Sequence, residues 1–72
     1  MSEQKITDTA KGRAIIEKTE LSIRIQKLSA FLKGAEVKKL SLRSRRLLSK
    51  QLKYMQKYFD VLSTRLTEWE NV

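Results

Sequence analysis

LSKQLKYMQKYFDVLSTRLTEW, residues 48 to 69, carries large apolar side chains at Leu48, Leu52, Met55, Phe59, Leu62, Leu66 and Trp69. The steps between them alternate four and three without a miss, the heptad seam of an α-helix packed lengthwise on another helix. A strand needs a period of two. The punctuation of hairpins and sheets is also scarce, since the chain has no proline and its two glycines are Gly12 and Gly34. Working backward, Ser41 precedes the seam and can cap a helix start with its hydroxyl, so the second helix is predicted over 42–70.

The first half has a less regular face of Ala14, Leu21, Ile25, Leu28 and Leu32, interrupted by Lys18. Asp8 or Thr9 can cap its start, and Gly34 after Lys33 suits a left-handed C-cap, which predicts a helix over 9–33. Residues 34–41 form a connection short enough to fold the second helix back on the first. Residues 1–8 have no periodicity and are expected to fray. The fold class is therefore all-α, a single domain built as an antiparallel two-helix hairpin over 9–72.

Apolar positions are left over. The second helix has a further stripe of Leu47, Tyr54, Tyr58 and Val61, and the first has Ile16, Ile23 and Ala30 nearly opposite its main face. One stripe per helix closes a hairpin, so the surplus predicts self-association into a dimeric four-helix bundle or a larger helical oligomer. The expected interface is Ile16, Ile23, Leu47, Tyr54, Tyr58 and Val61. A chain of 72 residues also needs such reinforcement, because below roughly 80 residues one core supplies only about 3 to 5 kcal/mol.

Composition excludes most chemistry. The absence of Cys and His removes thiol ligands, thiol nucleophiles, disulfides and imidazole bases. Glu17 and Glu20, the closest carboxylate pair on one helix turn, are expected to pair with Arg13, Arg24 or Lys27 at helical spacing rather than to act as acid and base. No phosphate-binding glycine loop or metal-spaced cluster is present. The expectation is a non-enzymatic protein with no cofactor and no metal. Apolar runs reach three residues at most, too short for a membrane span, and a cytoplasmic location is expected.

What stands out is charge. The chain has 16 Lys plus Arg against 8 Asp plus Glu, a net +8. Between residues 37 and 59 lie eight basic side chains and no acidic one, while outside that window the two signs balance. Arg43, Arg45 and Arg46 fall in the first turn of the second helix, where free amides and the dipole already make a positive end. Cations there are unfavourable by roughly 0.3 to 1 kcal/mol each. An anion at that end reverses the sign of every such term, so a phosphate-bearing partner is indicated. Arg46, Lys50, Lys53 and Lys57 continue as a ridge beside Tyr54 and Tyr58, whose rings can stack on bases. The candidate ligand-binding set is Arg43, Arg45, Arg46, Lys50, Lys53, Tyr54, Lys57 and Tyr58.

Leu47-Leu48, Gln51-Leu52, Met55, Tyr58, Leu62 and Arg65-Leu66, preceded by Leu28, Phe31-Leu32 and Leu40-Ser41, resemble a family of short tailed-phage helical proteins related to a crAss-like phage protein. The resemblance covers roughly residues 20 to 66. The turn after the Leu-Ser pair is commonly acidic in that family and is Leu42-Arg43-Ser44-Arg45-Arg46 here, which suggests a specialised member. The layout is also similar to phage hairpins that sequester cyclic nucleotide signals, the anti-CBASS and anti-Thoeris sponges. The resemblance implies a counter-defence protein in an infected bacterial cytoplasm that sequesters a cyclic oligonucleotide. Alternatives are a DNA- or RNA-binding helical dimer, or an inhibitor that binds a host defence protein and forms a stable complex with it.

Overall fold

The computed structural model describes residues 9–70, and the segments 1–8 and 71–72, including Asp8 and the expected frayed N-terminus, lie outside them. Two helices, α1 (Ala10–Lys33) and α2 (Leu42–Glu70), are joined by a short 3-10 turn, Glu36–Lys39. The described residues contain no strand. The helices pack antiparallel along their length in an elongated body of 51 × 24 × 14 Å. This is the expected all-α hairpin.

Capping decides where each helix starts. The Gly12 amide donates to Thr9 Oγ1 at 2.8 Å, so Thr9 is the cap of α1. The Ser44 amide donates to Ser41 Oγ at 3.1 Å, and the Arg45 amide to the Ser41 carbonyl at 3.0 Å, which makes Ser41 the cap of α2. Each cap satisfies one amide that the helix itself leaves without a partner.

The end of α1 differs from the expectation. Gly34 donates its amide to the Phe31 carbonyl at 3.1 Å but has φ −88° and ψ −179°, so the left-handed cap is not formed. The chain leaves the helix extended and turns through Glu36–Lys39, where the Leu40 amide closes on the Val37 carbonyl at 3.0 Å. Val37 is buried in this turn. An extended exit followed by a 3-10 turn lets Val37 reach the hairpin core, and its burial offsets the forgone left-handed cap bond.

The core is thin. Ala14, Leu21, Val37 and Leu62 are its buried apolar side chains, with Leu62 fully enclosed. Leu48, Leu52, Met55, Phe59 and Leu66 of the seam are half-buried, as are Ile25, Leu28 and Leu32 of α1. Lys18, which breaks the α1 face in sequence, is half-buried and holds its ammonium over the Phe59 ring, 5.3 Å from the centroid. A long cationic side chain can cover apolar surface in this way while its charge stays near solvent.

Candidate anion-binding surface

The start of α2 is built by its cap. Ser41 takes the Ser44 amide and donates its own hydroxyl to Ser44 Oγ at 3.1 Å. The amides of Leu42 and Arg43, the first two of the helix, have no acceptor among the described residues. Side-chain cations surround this end.

Helical phase sorts those cations. At about 100° per residue, Arg46, Lys50, Lys53 and Lys57 cluster on the side of α2 turned away from the α1 seam, and Arg43 leads into the same ridge with a step of three. Arg43, Arg46, Lys50, Lys53 and Lys57 are all exposed. None forms an ion pair with a carboxylate among the described residues. Lys39, by contrast, is neutralised by Glu36 at 3.1 Å.

Arg45 does not join the ridge. It is half-buried on the other side of α2, and its Nε donates to the Leu40 carbonyl at 3.2 Å, bracing the connection against the helix. The three arginines that look like one cluster in sequence therefore divide between a ridge and a brace. Rotation of about 200° separates Arg43 from Arg45.

The two tyrosines also divide. Tyr54 is 56% exposed beside the ridge, with Lys57 Nζ 5.9 Å from its ring centroid. Tyr58 donates its hydroxyl to Glu17 Oε2 of α1. That bond, together with partial desolvation and the charge of Glu17, holds the Tyr58 phenol above its ordinary value of 10.0. Glu17 thus serves Tyr58, and neither Glu17 nor Glu20 makes an ion pair with Arg13, Arg24 or Lys27 among the described residues. This tie between the helices depends on how far one helix is slid along the other, which the pattern of neither helix encodes.

Of the surplus apolar positions, Leu47, Val61 and Ile23 are 55%, 52% and 47% exposed, and Ala30 is exposed, whereas Ile16 is half-buried. A groove of about 400 Å³ runs between Ile15, Lys18, Ile23, Phe59 and Leu66. Another of about 240 Å³ takes in Ile25, Gln26, Gln56 and Asp60. Neither includes a residue of the ridge, which lies on a convex helix face. The described residues hold no group of three acidic side chains able to bind a metal, and no helix long and apolar enough to cross a membrane.

One family model, Sequestin, matches residues 8–68. The chain belongs to the Sequestin family. The match takes in α1, the connection with Val37, α2 as far as Glu68 and the whole ridge, so the hairpin and its ridge belong to the matched Sequestin region. No curated protein and no solved structure matches the chain.

Proposed function

We propose that the protein sequesters a phosphate-bearing ligand, with a cyclic oligonucleotide immune signal as the expected form and phage counter-defence as the setting. The observation that carries this is the ridge of Arg43, Arg46, Lys50, Lys53 and Lys57, five exposed cations with no carboxylate partner among the described residues. Uncompensated like charges on one helix face oppose folding, and a polyanion bound there turns that repulsion into attraction. The family name, Sequestin, is consistent with sequestration and points to a binding rather than a catalytic role. Arg43, Arg46, Lys50 and Lys53 hold phosphates, and Tyr54 is the aromatic surface within reach of a base bound there. Self-association supplies the second wall of the site.

Titration calorimetry against a panel of cyclic di- and trinucleotides tests it. The expected result is stoichiometric heat with at least one of them, lost when Arg46→Glu and Lys50→Glu are combined. No heat with any member of the panel refutes the small-ligand reading.

The length of the ridge favours a second reading. From residue 43 to residue 57 it runs about 21 Å along the helix, enough to follow several phosphates of a strand. In that case binding to duplex DNA weakens with salt, with a log–log slope near −4.5 for about five phosphates neutralised. A flat salt response excludes it.

A further inference from the structure

We propose that the exposed stripe Leu47, Tyr54, Val61 is the contact surface for a second copy of this chain, packed α2 against α2 antiparallel about a two-fold axis at Tyr54. These side chains are 55%, 56% and 52% exposed and recur every seven residues. By helical phase each lies about 100° around α2 from the seam residue next to it, so the hairpin itself leaves them uncovered. Their spacing is symmetric about Tyr54. A two-fold axis there sets Leu47 of each copy against Val61 of the other and Tyr54 against its own counterpart, so apolar positions meet apolar positions throughout.

Charge selects the occupant and its direction. From residue 43 to residue 57, α2 carries six cations and no acid, whereas residues 58 to 69 carry Asp60 and Glu68 against Arg65. A parallel pair stacks the six cations of one copy beside the six of the other. The antiparallel pair sets that half of each copy beside the half holding Asp60 and Glu68.

The first helix supplies an independent match. The hydrogen bond to Tyr58 makes Glu17 level with that residue. Arg24 lies seven residues further along α1, on the same face as Glu17 and nearer the hairpin tip, level with Gln51. A two-fold axis at Tyr54 carries the level of Tyr58 in one copy onto that of residue 50 in the other. Glu17 then meets Arg24 of the second copy, twice by symmetry. Within one chain Arg24 is exposed and has no ion-pair partner among the described residues.

The pairing also completes the site, an extension that rests on the sequestration reading. A two-fold axis perpendicular to the α2 pair keeps both α1 helices on one side of it. Both ridges come to the opposite side. Two convex faces become one surface, with Arg46, Lys50, Lys53 and Lys57 of each copy in rows about 10 Å apart and Tyr54 and Val61 flooring the groove between them. A compact ligand with phosphates on two sides spans such rows, which one helix cannot offer.

Sedimentation equilibrium of the full chain at micromolar concentration, alongside calorimetry with the cyclic nucleotide panel, tests the proposal. The expected mass is twice 8.4 kDa. Val61→Glu sets a carboxylate against Leu47 of the other copy and is expected to weaken association more than about tenfold, with helical circular dichroism retained. Glu17→Arg and Arg24→Glu each weaken the dimer, and the two together restore it. A wild-type mass of 8.4 kDa overturns the proposal, as does a dimer indifferent to Val61→Glu or a double reversal that fails to rescue. Nucleotide binding by a Val61→Glu monomer with unchanged affinity overturns the two-copy site while sparing sequestration. A dimer that binds none of the panel supports the interface and counts against sequestration of these ligands.

Discussion

Leu62→Ala is the most severe single change this hairpin offers. Leu62 has 0% exposure, while Leu48, Leu52, Met55, Phe59 and Leu66 are half-buried. Truncating a fully buried leucine costs about 2 to 5 kcal/mol, the transfer of its methyl groups plus the cavity left behind. A core of this size supplies only about 3 to 5 kcal/mol, so the loss is comparable to the whole. At about 4 to 8 °C per kcal/mol for a domain of this length, even the lower bound shifts the midpoint by roughly 8 °C or more. Leu47→Ala is the control, since Leu47 is 55% exposed and an exposed position costs within about 0.5 kcal/mol in a single chain. Thermal and urea melts followed by far-ultraviolet circular dichroism, at several protein concentrations, make the comparison. The core assignment fails if Leu62→Ala melts within 2 to 3 degrees of wild type, taking roughly 0.5 kcal/mol as the threshold. It fails equally if Leu47→Ala costs as much as Leu62→Ala at the lowest concentration.

Gly34→Ala is expected to be tolerated and to stabilise by about 0.4 to 1 kcal/mol through the unfolded chain, because φ is negative and an added Cβ meets the Ala30 and Phe31 carbonyl oxygens at an ordinary 3.6 Å; a loss of stability in urea melts contradicts the extended exit. Ser41→Asp keeps the cap and adds a negative charge beside Arg43 and the positive end of α2, so stability rises by about 0.3 to 1 kcal/mol while affinity for the nucleotide panel falls; a gain in both argues against an anion at this end. Because Tyr58 is held protonated in the fold, its contribution is fully present below 10.0 and is lost as pH rises through the elevated folded value. Ultraviolet titration of the phenolate therefore moves toward the ordinary value in Glu17→Gln, and an unchanged curve removes the Tyr58–Glu17 bond.

The seam of α2 was legible because a heptad is a property of one helix alone, and Thr9 and Ser41 because capping is local. Gly34 misled for an instructive reason. A glycine after a helix suggests a left-handed residue, but the backbone route was decided by Val37, a lone apolar side chain in a polar stretch with no period to announce it. Arg43, Arg45 and Arg46 look like one cluster because adjacency in sequence resembles clustering until each residue is turned by about 100°. Tyr58 and Glu17 are 41 residues apart, and their meeting depends on the slide between two helices, which neither helix's own pattern encodes. The exposure of Leu47, Tyr54 and Val61 follows directly from their phase relative to the seam.

The tip of the hairpin bears on how the molecule opens. Val37 is buried there, the Arg45 guanidinium holds the Leu40 carbonyl, and the 3-10 turn closes on itself, so the two helices are stapled where the chain reverses. Thermal opening then proceeds like a zipper from the far end. Amide hydrogens near Thr9 and Trp69 exchange first, and those around Leu28 and Leu48 exchange only in global unfolding.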